Sequence, residues 1–286
     1  MKRNAADGLF TKPSRKGKIG MRFKGLSRLR RPEPLRIALG NLPQHIVMAT
    51  YAKDKAFKIS ELVGSIFEQS YEWYGFTLAH KDRPECITDI GLPRNDLNLQ
   101  DYTTIGSARI AEFQEMLPRD VIINGWIHSH GALHYRHFSG TDKKNQLTVL
   151  DFVAARTRRP LAKEEIVIQD LVLLEKDRFV AEDLRKGSVS LITDGPIREA
   201  KVMETVYGSF CFSIVIGDRG WHEQEIYYRE TGILSGRTTV TSKAADIEFV
   251  DTGRLLTKID ASALRDEVEE KIQPNTNPPV ETMERM

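Results

Sequence analysis

The chain has 286 residues, of which 40% are hydrophobic and 29% charged, and its formal net charge is +2 at pH 7. This is the composition of a globular protein, and the length suffices for one large domain with insertions or for two small ones. No apolar run approaches the ~20 residues needed to cross a bilayer, and the N-terminus lacks the apolar segment of a secretory signal, so membrane binding is not expected.

Only two cysteines occur, Cys86 and Cys211, and both lie in apolar, strand-like runs far apart in the chain. This spacing argues against a disulfide scaffold and against a cysteine-rich zinc module. We expect both thiols to be small buried core groups, and we expect a reducing, cytoplasmic location.

Positive charge is concentrated at the N-terminus. Residues 1–36 contain 12 Lys and Arg and only two acidic residues, Asp7 and Glu33, so the rest of the chain is net negative. Gly and Pro are frequent in this stretch and apolar periodicity is absent, which predicts a flexible basic arm. Such an arm can contact nucleic acid or an acidic partner, and a solubilising or assembly-docking tail is the alternative.

Hydrophobic periodicity predicts the elements of the first half. They are a first strand or hairpin over residues 35–51, a helix in KISELVGSIFEQS with Ser60 as its cap, strands at Trp73–Leu78 and Cys86–Leu92, and a helix over Ala108–Leu117 that Pro118 stops.

The second half begins with a helix that starts at Asp142 or Lys143 and runs to Ala155. Residues 156–204 exceed a minimal domain and carry the apolar runs Ile166–Ile168 and Leu171–Leu174 and the strand-like SVSLITDGPI. A hairpin at Phe210–Tyr228, further strand signals, a helix in ALRDEVEEKI and a disordered C-terminal tail complete the chain.

The stretch that carries chemistry runs from Asp120 to Asp142. A buried strand is predicted through Ile127, and it delivers His128 and His130, whose side chains share one face because strand side chains alternate. A catalytic zinc takes three protein ligands and keeps one position open, and Asp142 could supply the third. The alternative is that Ser139 or Asp142 merely caps the following helix.

These residues resemble the signature of the JAMM (MPN+/JAB) metalloproteases, of prokaryotic or viral type: an upstream Glu, then HxH and SxxD. Glu72, in SYEWYGFTLAH, matches the upstream glutamate. The chain departs from the pattern in one respect, because eight residues, Gly131 to Phe138, replace the usual seven between HxH and SxxD. We expect a bulge at Gly131 to absorb the extra residue. His134 or His137 is the substitute ligand if the register fails.

The resemblance implies an α/β fold, with a mixed, mostly antiparallel sheet flanked by helices in the cytidine-deaminase-like arrangement. It implies Zn²⁺ held by His128, His130 and Asp142, with Glu72 as general base and Ser139 as donor to the oxyanion. Ser129, between the two histidines, is expected to face away from the metal and to make only a structural hydrogen bond.

The implied activity is that of a zinc metallopeptidase, an isopeptidase that cleaves at the C-terminus of a ubiquitin-like modifier or in its conjugates. One alternative is a non-catalytic scaffold of the same fold. Another is a phage or viral assembly component whose basic arm contacts nucleic acid.

Composition, charge and the resemblance together divide the chain into five parts. They are the arm (1–36), the first part of the catalytic domain (37–155), an insertion (156–205), the closing hairpin with C-terminal strands (206–260), and a short helix with the disordered tail (261–286).

Overall fold

The computed structural model describes residues 34–95, 98, 105–133, 135–166, 171–187, 189–195 and 202–274. All of these residues except Pro34 belong to a compact unit that begins at Leu35. All but the last three residues of the predicted basic arm lie outside the described residues, as does the tail from residue 275 onward.

The described residues form four α-helices and thirteen strands. The helices are α1 Thr50–Phe67, α2 Ser107–Met116, α3 Gly140–Val153 and α4 Lys258–Lys271. The strands are β1 Arg36–Ala38, β2 Ile46–Ala49, β3 Tyr74–His80, β4 Cys86–Ile87, β5 Asp89–Gly91, β6 Val121–Ser129, β7 Arg159–Ile166, β8 Leu171–Glu175, β9 Val189–Thr193, β10 Val202–Ile216, β11 His222–Gly232, β12 Thr238–Ala244 and β13 Ile247–Val250.

Eight strands form the main sheet, in the order β1-β7-β10-β6-β3-β5, with β11 paired to β10 and β12 paired to β11. The first part of β10 pairs with β7 and its last part pairs with β6. Strand β11 pairs with β10 from Val206 to Ile216, on the other edge of that strand. The β6–β10 pair is parallel and its neighbours are antiparallel. The predicted α/β class, with a mixed and mostly antiparallel sheet flanked by helices, is confirmed.

Strand β6 lies inside the sheet between β3 and β10, which explains its almost unbroken run of buried residues. Trp126 lies directly across from Phe76, and His128 from Tyr74. Directly paired residues project to the same face. That face packs against α2 and α3 through an apolar cluster that includes Val149 of α3.

The opposite face of the sheet packs against α1 and α4. Ile127 of β6 and Trp73 belong to this second cluster, with Ile59 and Val63 of α1 and Val268 of α4. Alternation along β6 therefore divides its side chains between two cores, and it sends His128 towards α3.

Gly125 allows β6 and β10 to approach closely. A Cβ at this position would lie 2.3 Å from the Phe212 carbonyl oxygen, a distance that no side chain tolerates. The glycine therefore permits the parallel pairing that carries the strand on to the two histidines.

Two smaller sheets complete the described fold. One is parallel, in the order β13-β2-β4, and the other pairs β8 with β9. Strand β7, which follows α3, joins the main sheet, whereas β8 and β9 pair with each other. The residues named as an insertion thus contribute both to the main sheet and to a separate two-stranded unit.

Several details differ from the sequence predictions. Strands β1 and β2 do not form a hairpin, because β1 pairs with β7 and β2 lies in the small parallel sheet. The predicted strand at Cys86–Leu92 is two short strands in different sheets. Helix α1 begins at Thr50, so Ser60 lies inside it, and its hydroxyl accepts a hydrogen bond from the Trp73 indole at 3.0 Å.

Both cysteines are buried and free, as expected. Burial raises the pKa of Cys86 and, more strongly, that of Cys211. Neither thiol is therefore a ready nucleophile.

Among the described helices, none has the length and apolarity required to span a membrane.

Candidate metal centre

Strand β6 delivers both histidines to one point. His128 lies near its end and His130 directly after it, where the His130 N–H still donates to the Ile216 carbonyl of β10 at 2.9 Å. The two Nε2 atoms are 3.2 Å apart. The exposed fractions of the two side chains are 0% and 3%, so these imidazoles are buried groups.

Helix α3 supplies Asp142 through its N-terminal cap. The Ser139 hydroxyl accepts the Asp142 N–H at 3.1 Å, and Asp142 Oδ2 accepts the Ser139 N–H at 2.6 Å. This reciprocal pair is a capping box, which fixes the first turn of a helix. The cap holds the Asp142 carboxylate at a defined position beside the strand.

Three potential ligands converge as a result. Asp142 Oδ1 lies 3.2 Å from His128 Nε2, and Asp142 Oδ2 lies 3.4 Å from His130 Nε2. Zinc ligands at about 2.0–2.1 Å from a tetrahedral ion are separated from one another by about 3.3 Å. The two Nε2 atoms, 3.2 Å apart, have the separation expected of two ligands of such an ion, and an Asp142 oxygen lies within 3.4 Å of each of them.

Among the described residues, these three make up the group able to hold a metal ion. Their donor set of two imidazoles and one carboxylate is a known type of catalytic zinc site, with the fourth position left for water or substrate. The residues present thus fit a zinc ion.

The electrostatics of the group follow from burial and from the short contacts. Burial lowers the pKa of His128. Burial also opposes ionisation of Asp142, but hydrogen bonds from both histidines outweigh it and hold the pKa of Asp142 far below its usual value. A neutral imidazole and an ionised carboxylate are the forms that bind a metal.

The pKa of His130 is shifted in the opposite direction to that of His128. Burial alone would lower its pKa, but the hydrogen bond to Asp142 and the bond to the Tyr135 carbonyl raise it overall, with a contribution from the charge of Glu72. A proton on His130 therefore competes with a metal for this site.

The loop from Gly131 to Phe138 accommodates the extra residue. Gly131 has a φ of +52°, which favours glycine, and its N–H donates to the Ser129 hydroxyl at 2.9 Å. The predicted structural hydrogen bond of Ser129 is confirmed. Although the spacer has eight residues, Asp142 reaches both histidines.

The loop also orients His130 from outside the sheet. The Tyr135 carbonyl lies 2.9 Å from His130 Nδ1, and the two rings stack with centroids 5.9 Å apart. A hydrogen bond from Nδ1 fixes the tautomer in which Nε2 carries the lone pair for a metal. His137 is exposed and pairs with Glu223, away from the ligand group, and His134 lies outside the described residues.

Glu72 lies across the sheet from His130. The Ser129 N–H donates to the Trp73 carbonyl at 2.9 Å, so the β3–β6 register continues past Tyr74 and places Glu72 opposite His130. Glu72 is buried, with 5% of its surface exposed, and it is close enough to His130 to raise the pKa of that imidazole. It is not a member of the three-residue ligand group within the described chain.

Trp126 and Gln146 support the centre, and sequence reasoning did not assign either of them a role there. The Trp126 indole stacks on His128, and its N–H donates to Gln146 of α3 and to Ser213 of β10. Their sequence signal was the spacing: Trp126 is two residues before His128 on a strand, and Gln146 is four residues after Asp142 on a helix.

Neither a protein-family model nor any curated protein sequence matches the chain. A function for the chain is therefore inferred from the geometry of the site and the chemistry of its residues. That geometry offers three candidate metal ligands, and it places Glu72, outside that group, close enough to affect the charge of His130.

Proposed function

We propose that the protein is a zinc-dependent peptidase of the JAMM type. The observation that carries the proposal is the position of Glu72, opposite His130 and outside the group of three residues that could hold a metal ion. The resemblance of the sequence to the JAMM signature supports the same assignment.

In this proposal His128, His130 and Asp142 hold the zinc ion. When bound, zinc lowers the pKa of a coordinated water to roughly 7 and polarises the scissile carbonyl. Glu72 accepts a proton from the attacking water and returns it to the leaving amine.

Ser139 has a second task beside its capping role. Its hydroxyl accepts the Asp142 N–H, and a hydroxyl that accepts one hydrogen bond can also donate one. In the proposed reaction it donates to the oxygen that becomes negatively charged. Such a preorganised contact contributes about 3 kcal/mol to transition-state stabilisation.

The substrate class rests on the resemblance. It is a peptide or isopeptide bond at the C-terminus of a ubiquitin-like protein, presented either as a C-terminal extension or as a conjugate. A non-catalytic scaffold with the same fold is the competing hypothesis, and it predicts no turnover even when the metal is bound.

The deciding experiment combines metal analysis with turnover of a ubiquitin-like protein that carries a C-terminal extension. The wild-type protein is expected to bind one equivalent of zinc and to cleave the extension. Glu72→Gln should retain the zinc and keep a residual turnover lower by about 10²–10⁴-fold, whereas His128→Ala with His130→Ala should lose both zinc and turnover.

A matched control is His45→Ala with His80→Ala, which removes two exposed histidines outside the ligand group. Unchanged zinc content in the His128/His130 variant would overturn the metal site. Full turnover in Glu72→Gln would overturn its role as the base.

A further inference from the structure

The edge of β3 that leads to Glu72 is completed by side chains instead of by a strand. On this edge β5 pairs with β3 only from Phe76 to Leu78. Nearer the metal centre, the Tyr74 N–H donates to Asn95 Oδ1 at 3.0 Å, and Asn95 Nδ2 donates to the Tyr74 carbonyl at 3.1 Å. The Asn95 carboxamide thus occupies the place of a peptide group in the ladder.

Asn98 extends this substitution to Glu72 itself. Its Nδ2 donates to the Glu72 carbonyl at 2.7 Å and to Asn95 Oδ1 at 2.9 Å. The exposed fractions of Asn95 and Asn98 are 2% and 0%. Buried carboxamides with several satisfied hydrogen bonds are rigid features because breaking any one bond leaves a polar group unpaired.

The end of α4 anchors both asparagines. The Asn95 N–H donates to the Lys271 carbonyl at 2.9 Å, and the Gln273 N–H donates to Asn98 Oδ1 at 3.3 Å. We call Asn95 and Asn98 the asparagine clamp. It connects the backbone of Glu72 to an element that is remote from it in sequence.

We propose that the asparagine clamp positions Glu72 for catalysis. This inference rests on the proposed function. Glu72 precedes the first residue of β3, so the ladder with β5 does not reach it. Strand β6 holds one edge of this segment through the Trp73 carbonyl, and the clamp holds the other edge at Tyr74 and Glu72.

The clamp contacts the backbone of Glu72, whereas the metal ligands lie on β6 and α3. Its loss should therefore displace the base without removing the metal. A displacement of about 1 Å in a reacting group can lower the rate by about 100-fold. The predicted signature is a lower kcat with zinc content and KM unchanged.

The test compares Asn95→Ala and Asn98→Ala with Asn124→Ala. Asn124 is a matched control because it is also fully buried and makes two hydrogen bonds, with Thr77 and with the Pro84 carbonyl, on another part of the sheet. We expect kcat to fall about 10- to 100-fold in both clamp variants. Asn124→Ala should retain near wild-type kcat at a temperature where all variants are folded.

A double variant distinguishes positioning from a general loss of structure. Once Glu72→Gln has removed the base, adding Asn98→Ala should cause little further loss of kcat. If instead the two losses multiply, the clamp does not act through Glu72, and the proposal is overturned.

Hydrogen–deuterium exchange provides a readout that is independent of activity. The Tyr74 amide should exchange faster in Asn95→Ala and Asn98→Ala than in wild type, and it should be unaffected in Asn124→Ala. If the Tyr74 amide exchanges at the wild-type rate in Asn95→Ala and Asn98→Ala, the asparagine clamp does not hold this backbone, whatever the activity of the enzyme. If the wild-type protein neither binds zinc nor turns over substrate, the proposed function fails, and exchange alone still decides whether the clamp holds this backbone.

Discussion

The indole of Trp126 lies parallel to the imidazole of His128, with ring centroids 4.3 Å apart and an angle of 8° between the planes. The same indole donates its N–H to Gln146, one turn after Asp142 on α3. Trp126 therefore contacts one proposed ligand and the helix that bears another. Such outer contacts orient ligands, and their loss typically weakens metal binding 10- to 100-fold.

The first prediction concerns this indole. Trp126→Phe keeps an aromatic ring beside His128 but leaves Gln146 and Ser213 without their donor, which should cost about 1–3 kcal/mol of stability. We expect zinc affinity to fall about 10-fold, measured by competition with a chromophoric chelator.

Its control is Trp73→Phe. Trp73 is equally buried, and its N–H donates to Ser60 on the opposite face of the sheet. This variant should lose comparable stability and keep its zinc affinity. Equal zinc affinities in the two variants would show that Trp126 supports only the fold.

The second prediction separates the helix cap from the metal centre. Ser139→Ala removes the side-chain half of the α3 capping box and should lower stability by about 1 kcal/mol. Since the cap also fixes Asp142, zinc affinity should fall as well. Thermal unfolding and zinc titration measure the two effects.

Helix α4 offers the matching control, because Thr257 and Asp260 form the same capping box at its start. Thr257→Ala should lower stability by a similar ~1 kcal/mol and leave zinc binding unchanged. If Ser139→Ala and Thr257→Ala lose zinc affinity to the same extent, the loss reflects general destabilisation and not the position of Asp142.

The sequence predicted the convergence of His128 and His130 because side chains two apart on a strand share a face. On the sequence alone, helix capping and metal binding by Asp142 were alternative interpretations. In the structure the carboxylate that caps the helix is also the one that lies beside both histidines, since Oδ2 accepts the Ser139 N–H and each oxygen lies within 3.4 Å of a histidine nitrogen. Local capping chemistry is thus the means by which the chain brings Asp142 to the strand.

Contacts distant in sequence could not be predicted in this way. Asn95 and Tyr74 are 21 residues apart, and Asn95 falls between the predicted strand that ends at Leu92 and the predicted helix that begins at Ala108. Ser60 was wrongly predicted to be a helix cap, because α1 begins at Thr50 and the Ser60 hydroxyl, inside the helix, accepts the Trp73 indole N–H. Periodicity gives the face of an element but not the partner that will cover it.

The third prediction concerns metal removal. A ligand that binds only the folded state stabilises it, by about 2.7 kcal/mol when its free concentration is 100 times its Kd. We expect zinc to raise the melting temperature of metal-free protein and a chelator to reverse the change. The His128→Ala, His130→Ala protein should melt at the same temperature with and without zinc. If this variant is still stabilised by zinc, the metal binds elsewhere.

The fourth prediction concerns pH and a carboxylate remote from the metal centre. Glu204 accepts hydrogen bonds from the Leu234 N–H, the Ser235 N–H and the Ser235 hydroxyl, at 3.0, 2.9 and 2.7 Å. Burial by itself raises the pKa of Glu204, but these donors outweigh it, and the pKa lies below its ordinary value.

A depressed carboxylate pKa stabilises the folded state above the unfolded pKa, about 4.3 for Glu, and this stabilisation is lost as pH falls through the folded pKa. Glu204→Gln should therefore have a lower free energy of unfolding than wild type at pH 7. This difference in stability should shrink below about pH 4, and urea unfolding at pH 7 and at a pH below about 4 measures it. Glu248→Gln, at an exposed ion pair with His45, should change stability little at pH 7. A Glu204→Gln deficit that is equally large at low pH would show that the three donors stabilise the turn by geometry and not through the carboxylate charge.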